Sequence, residues 1–218
     1  MNSDLRRTLA GISTATLTTV LFKRGLRNLF LQGPRLINPR APRLVGPAYT
    51  LRTIPAREDL DRLEAFLDPD HPQRRGIEEC PPGHVFIVDS RGDARAASAG
   101  GILLTRLMVR GCAGAVTDGG FRDTPEIAEM DWPIYHAAPS APTNLIRHHP
   151  VETGVPIACG DVPVYPGDIL VGDGEGVVCI PAHLAAEVAA EAREQTVVED
   201  FVGERVAAGH TIRGLYPM

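Results

Sequence analysis

The chain has 218 residues, is 44% hydrophobic and carries a formal net charge of −5. That length and apolar content suffice for one sizeable core, and the acidic balance argues against a nucleic-acid surface. No apolar run approaches the roughly 20 residues that span a bilayer, and the polar start M-N-S-D-L-R-R lacks a signal-peptide core.

Cys80, Cys112, Cys159 and Cys179 are far apart and form no C-x-x-C pair. Neither a disulfide framework nor a zinc site is expected, and a reducing, cytoplasmic compartment is the expected home. Along the chain, Asp4 to Arg24 reads as a helix or a pair of short helices, with Ser13-Thr14-Ala15-Thr16 as a cap and Leu17, Val20 and Leu21 at helical spacing. A Pro- and Arg-rich connector follows. The basic segment Lys23 to Arg43 is interrupted by prolines and glycines, which suits a solvated loop better than a polyanion site. Val45 to Ile54 reads as a strand. Glu58 to Leu67 is helical by pattern, with Leu60, Leu63, Phe66 and Leu67 on one face, and Asp68 to Pro72 breaks it.

Strand-like runs then cover His84 to Val88 and Ala113 to Thr117, with Ala96 to Arg110 patterned as a helix between them. A short helix at Glu126 to Met130 and a strand at Trp132 to His136 come next. Four further strands are expected at Pro156 to Ala158, Val162 to Val164, Ile169 to Gly172 and Val177 to Ile180. Gly172 to Gly176 superficially resembles a glycine-rich ligand loop, but it lies between two strands and reads as a hairpin turn. A long helix from Ala182 to Ala208 closes the pattern, with Pro181 before it and Gly209 after it. Strands that alternate with helices and later follow one another suggest a single layered α/β domain over residues 1–218.

The most informative stretch is V-R-G-C-A-G-A-V-T-D-G-G-F-R-D, Val109 to Asp123. It reads as a buried strand running into a glycine turn that presents Arg122 beside Asp123. A guanidinium can fork a carboxylate or enolate, and a neighbouring aspartate can hold a hard metal ion. The same pair also fits a surface ion pair capping the helix that starts near Thr124-Pro125. Asp89, Asp93 and Asp118 stand near the ends of the bracketing strands, as supporting carboxylates or as turn residues. His148 and His149 point in different directions on any regular element, which disfavours a metal pair. No phosphate loop or nucleophile elbow is present.

The run R-G-C-A-G-A-V-T-D-G-G-F-R-D, preceded by A-S-A-G-G-I-L-L and followed by P-G-D-I-L-V-G-D-G-E-G-V-V-C-I-P, resembles the RraA-like family. The resemblance extends from Ile12 to the terminal helix. That family includes metal-dependent class II 4-hydroxy-4-methyl-2-oxoglutarate/4-carboxy-4-hydroxy-2-oxoadipate aldolases, which also decarboxylate oxaloacetate, and proteins named as regulators of ribonuclease E activity. The resemblance implies an α/β/β/α fold and a homotrimer, or a hexamer made of two trimers, with active sites between subunits. It implies that Arg122 binds the pyruvyl end of a 2-oxo acid and that Asp123 ligates Mg2+ or Mn2+, largely through waters. The amides of Ile102 and Leu103 would hold the substrate carboxylate at a helix N-terminus near Gly100. Glu199 is the best match, with Asp200 close behind, for an acid that a neighbouring subunit contributes from its terminal helix.

One departure stands out. Twenty-one positions before the arginine the aldolases carry an acid, and this chain carries Gly101. Either another acid such as Asp93 substitutes, or the protonation step differs. Asp123 itself favours an enzyme, because members described purely as regulators tend to lack it. The function expected is a divalent-metal-dependent carbon–carbon lyase acting on a 2-oxo acid. Two rivals are a regulator that binds a ribonuclease or helicase, and a metal-dependent dehydratase or tautomerase of a sugar-derived 2-oxo acid. A Schiff-base route is disfavoured because Lys23, the single lysine, sits in an Arg-rich helix end.

Overall fold

Residues 1–215 are described by a computed structural model, in which two helices, α1 (Ser3–Ala10) and α2 (Thr14–Lys23), open the chain. Each begins with a side-chain cap: Asn2 accepts from the Leu5 amide at 2.8 Å, and Ser13 from the Thr16 amide at 3.0 Å. After β1 (Arg35–Leu36), the strand β2 (Leu44–Pro55) runs through the molecule. Its first residues pair antiparallel with β12 (Ile169–Gly172), its middle runs parallel to β3 (Val85–Asp89), and its end pairs antiparallel with β9 (His148–Thr153), with a register shift between Arg52 and Thr53. The resulting sheet has the order β1, β7 (Ile134–His136), β5 (Gly114–Thr117), β3, β2, β12, β13 (Val177–Ile180).

Side-chain alternation sorts the buried residues into layers. On β3, Val85 and Ile87 point into one apolar cluster, while Phe86 and Val88 point into another. Strand β13 likewise sends Val177 and Cys179 to the central cluster and Val178 and Ile180 to an outer one. The outer cluster is covered by α1, α2 and the long helix α6 (Ala185–Ala207). On the far side, α3 (Pro72–Glu79), α4 (Gly101–Val109) and α5 (Thr124–Ile127) cover Phe86, Val88 and Ala115. The central cluster also takes up β10 (Ile157–Cys159) and β11 (Val162–Val164). The order of layers is helix, sheet, sheet, helix, as the resemblance implied. Each fully buried Val, Ile or Phe in these strands stabilises the fold by about 1.5–3 kcal/mol.

Three short strands, β4 (Ala97–Ala99), β6 (Gly120–Phe121) and β8 (Ala138–Pro139), form a parallel rim of their own. Among the described residues no helix is long and apolar enough to cross a membrane.

Three local expectations are corrected. Glu58 to Leu67 does not form a helix; only a 3-10 turn at Leu63–Leu67 is present. Leu63 and Leu67 stay 72% and 81% exposed, because no apolar surface faces the stripe that their spacing suggests. The break at Asp68 to Pro72 instead leads into α3, where Pro72 takes the first helical turn. Its pattern is hidden by charged residues and by Gly76, where a Cβ would lie 3.0 Å from Thr153 and 3.2 Å from Phe86. The patterned helix Ala96 to Arg110 divides into β4 and α4, with Gly100 as the cap between them. That division is the one the resemblance implied.

Most other elements lie where expected, but β9 forms a strand where none is expected, α5 starts at Thr124 rather than Glu126, and a 3-10 turn at Ala182–Leu184 precedes α6. The turn Asp173 to Gly176 closes the β12–β13 hairpin. His148 and His149 face different sides of β9: His148 is buried against the Ala96 carbonyl, and His149 meets Asp61 at 2.8 Å. In the basic segment, Arg24 pairs with Glu187 and Glu191, and Arg43 reaches the Ile12 carbonyl and Asp173.

Candidate active site

Strand β6 ends at the fully buried Phe121, which anchors the turn that follows. The Arg122 amide donates to the Ala99 carbonyl at 3.1 Å, locking the end of β6 to the end of β4. Asp123 then adopts a left-handed conformation, φ 59° and ψ 36°, which aspartate tolerates better than most residues. Thr124 and Pro125 start α5 directly after it.

This turn abuts the N-terminus of α4. Asp123 Oδ2 accepts from the Gly101 amide at 2.9 Å, and Arg122 Nε lies 3.4 Å from Asp123 Oδ1. The carboxylate thus caps a helix that no neighbouring side chain in its own segment caps. Gly100 is needed here: a Cβ would stand 2.6 Å from both Arg122 Cγ and Asp123 Oδ2. The first backbone bond of α4 runs from the Leu104 amide to the Gly100 carbonyl. The amides of Ile102 and Leu103 precede it, so they belong to the donors that a helix leaves unpaired. Both residues join Arg122 and Asp123 in lining a cavity of about 210 Å³.

One pole of this cavity therefore offers a guanidinium, two helix-end amides and one carboxylate. Such a set can hold a small carboxylate and stabilise negative charge developing beside it. Asp123 is the one carboxylate among its described lining residues.

Other predicted groups are elsewhere. Glu199 sits on α6, where its Oε2 accepts from Thr16 Oγ1 at 2.7 Å and its Oε1 from Gln195. Asp200 is exposed on the same helix. One chain alone does not bring either acid to Arg122. Asp93 lies outside the described lining of this cavity, where Arg95 at 2.7 Å and Arg147 at 3.2 Å hold it and keep its carboxyl well below the usual range. Lys23 is exposed and donates to Gln195, outside the cavity.

Sequence reasoning missed the far wall of the cavity, which Phe66, Gln73, Arg74, Thr143 and Asn144 supply. Phe66 falls in the misassigned helix, and Gln73, Arg74, Thr143 and Asn144 fall in stretches where the sequence pattern gives no element. It also missed a buried hydroxyl cluster under the turn, in which Ser90 Oγ lies 2.5 Å from Ser98 Oγ and 2.8 Å from Thr117 Oγ1. Gly119 rests on that cluster, since a Cβ there would come within 2.5 Å of Ser90.

A second cavity holds Asp89 and Asp118. Asp118 accepts amide bonds from Ser90, Gly92 and Gly160 at 2.7, 2.9 and 3.2 Å. Asp89 accepts from the Arg91 and Ala158 amides, and burial pushes its carboxyl above the usual range with Asp118 adding to the rise. These carboxylates hold the surrounding loops together.

Against known proteins, the family profile described as RraA-like, Aldolase/RraA, matches residues 14–179. The chain belongs to the RraA-like family. A relative from Halalkalibacterium halodurans, provisionally named 4-hydroxy-4-methyl-2-oxoglutarate aldolase, is 31% identical over 172 residues, covering 78% of this chain and 74% of that protein. A Thermus thermophilus protein named 4-hydroxy-4-methyl-2-oxoglutarate aldolase is 33% identical over 108 residues, covering 50% of this chain and 65% of its own length. Among solved structures, Streptomyces coelicolor RraAS2, described as an unusual member of the RNase ES inhibitor RraA protein family, superposes with a TM-score of 0.81. It is 31% identical, covering 92% of this chain and 96% of that one. The RraA-like fold therefore unites relatives with enzymatic and regulatory names.

Proposed function

We propose that this RraA-like protein is a divalent-metal-dependent carbon–carbon lyase that releases pyruvate from a 2-oxo acid. The substrate would be a 4-hydroxy-2-oxo acid, cleaved in the retro-aldol sense, or oxaloacetate, which would lose carbon dioxide. The observation that supports this reading is the convergence of Arg122, Asp123 and the first amides of α4 on one cavity.

Asp123 fits a magnesium or manganese ion. Its side chain is 39% exposed, and it stands without other carboxylates, histidines or cysteines among the described lining residues. Hard cations of this kind are commonly held through one or two carboxylates and several waters. When bound, the ion supplies a Lewis acid that draws electron density out of the 2-oxo group.

The chain's own residues do the remaining work. The amides of Ile102 and Leu103 hold the substrate carboxylate in the plane that Arg122 also addresses. The C3–C4 bond breaks, its electron pair enters the C2–C3 bond, and Arg122 stabilises the oxygen that becomes the enolate. A proton returned to C3 gives pyruvate. In the aldol case the 4-hydroxyl loses its proton as C4 becomes a carbonyl. Gly101 supplies no group for that transfer, and Glu199 from a neighbouring copy in a trimer or hexamer is our candidate. Four buried free cysteines suit the reducing cytoplasm proposed for the protein.

The test is pyruvate release from oxaloacetate and from 4-hydroxy-4-methyl-2-oxoglutarate, with magnesium and then with excess chelator. Metal-dependent release above the rate of free ion is expected from at least one. A folded protein that releases none from either overturns the lyase and favours the regulatory reading that the likeness to RraAS2 supports. A pull-down with ribonuclease and helicase partners then tests that alternative.

A further inference from the structure

The far wall of the cavity carries a polar atom that the chain orients and then leaves unused. Gln73 follows Pro72 in the first turn of α3 and is 3% exposed. Its Nε2 donates to the carbonyl of Ser98 on β4. A carbonyl can only accept, so this bond settles which way round the side-chain amide sits and turns Oε1 away from the strand. Oε1 accepts from no described residue, yet it is not shut off from solvent, and Gln73 lines the cavity. The neighbouring polar groups are paired or turned away. Asn144 Oδ1 accepts from Thr143 Oγ1 at 3.3 Å, while Asn144 Nδ2 and Arg74 Nε are closed off from solvent.

Strand β4 fixes both sides of the cavity. The Ser98 carbonyl holds Gln73, and the next carbonyl, that of Ala99, holds the Arg122 amide at 3.1 Å. A carbonyl oxygen kept unpaired on a buried side chain is costly unless a ligand brings it a donor. A hydroxyl brings one, whereas a carboxylate has none and is repelled.

We propose that Gln73 reads a hydroxyl beyond C4, so that the substrates of this site are polyhydroxylated, sugar-derived 4-hydroxy-2-oxo acids. The inference rests on the 2-oxo acid lyase reading and names a substrate class for it. With the pyruvyl end held by Arg122 and the α4 amides, C4 and C5 extend toward the far wall, and the C5 hydroxyl donates to Gln73 Oε1. That bond is made away from the C3–C4 bond that breaks. Gln73 takes no proton and is a specificity-determining residue.

The experiment measures pyruvate release in magnesium buffer from 4-hydroxy-2-oxo acids that share a five-carbon chain and differ at C5. The methyl compound is 4-hydroxy-2-oxopentanoate, the hydroxymethyl compound is 4,5-dihydroxy-2-oxopentanoate, and the carboxylate compound is 4-hydroxy-2-oxoglutarate. The wild-type protein is expected to favour the hydroxymethyl compound over the methyl compound by about five- to tenfold in kcat/KM, the effect of one hydrogen bond to a neutral group. The carboxylate compound should also fall behind it. Gln73→Met should bring the hydroxymethyl-to-methyl ratio to about one, whereas Gln73→Glu, which keeps an acceptor, should hold it above one.

Equal rates for the methyl and hydroxymethyl compounds, or a lead for the carboxylate compound, overturn the hydroxyl reading and leave the lyase standing. The same holds if Gln73→Met slows all three compounds alike, since Gln73 is then only a tether between α3 and β4. Absence of pyruvate from all three overturns the lyase, and the hydroxyl reading with it. If Gln73→Met does not fold, Gln73→Asn, whose shorter side chain withdraws the oxygen, should lower the ratio in its place.

Discussion

Two cavities of this protein hold charged residues at the ends of parallel strands, and they differ in what those residues have left to give. Around Asp118 the carboxylate oxygens are taken up by three backbone amides, and Asp89 is met by two more. Around Arg122 the guanidinium pairs, among the described residues, with Asp123 alone, at 3.4 Å, and two helix-end amides precede the first bond of their helix. Buried acids that are fully paired hold loops. Groups that the fold orients without satisfying are the ones with chemistry to offer.

The largest expected effect comes from removing Arg122. Arg122→Ala should lower kcat/KM for pyruvate release by about 10²–10³, the usual consequence of losing a donor to a developing oxyanion. The melting temperature should barely move, because this side chain supports nothing else. Asp118→Ala should do the reverse, stranding the Ser90, Gly92 and Gly160 amides. A loss of about 3 kcal/mol in denaturant unfolding is expected, with turnover per folded molecule little changed. If Arg122→Ala proves the less stable variant and Asp118→Ala the less active, the contrast between the cavities collapses.

The layers were readable because strand alternation and helix caps are local. Val85 to Val88 carry their burial in their composition, and Ser13 and Gly209 mark helix ends by their own backbone chemistry. The near pole of the cavity was readable for a similar reason, since T-D-G-G-F-R-D puts the turn and its charges in one stretch. The far wall was not. Arg74 follows a proline-broken segment, Asn144 lies in a short 3-10 turn at Asn144–Ile146, and only tertiary packing brings them into the cavity that Arg122 lines. The false helix at Glu58 to Leu67 shows the same limit from the other side: spacing defines a stripe but not whether anything faces it.

A smaller effect separates the two regions by pH. His148 is buried, accepts from Arg91 Nη2 at Nδ1 and donates to the Ala96 carbonyl from Nε2, which requires the neutral ring. Burial pushes its pKa below the ordinary value and Arg91 adds to that, while the Ala96 bond and the charges of Asp93 and Asp118 oppose it. His71 and His136 are also shifted down by burial. The unfolded chain binds these protons at about pH 6.5 and the folded chain only at lower pH. The stability they contribute is therefore complete above that value and declines as pH falls below it. Melting temperatures between pH 8 and pH 5 should drop on the acid side, and His148→Gln, which keeps the donor to Ala96, should flatten the drop. An unchanged slope in that variant would remove His148 from the account.

The smallest effect concerns two adjacent glycines with opposite surroundings. At Gly100 an added Cβ would collide with Arg122 and Asp123 at 2.6 Å, whereas at Gly101 it would meet Asp123 Cβ at 3.5 Å, an ordinary contact. Gly101→Ala should therefore leave turnover within about threefold, and the better helix former should raise the melting temperature by roughly 1–3 °C. The same spacing accepts Gly101→Asp, which places a carboxylate beside Asp123 at the position where the family resemblance implies an acid. If that variant speeds cleavage of a 4-hydroxy-2-oxo acid but not decarboxylation of oxaloacetate, the missing acid handles the hydroxyl proton, because only the first reaction has one to move. Equal gains in both would place the effect on the metal instead, and a loss in both would show that Asp123 works best without a second negative charge at the helix end.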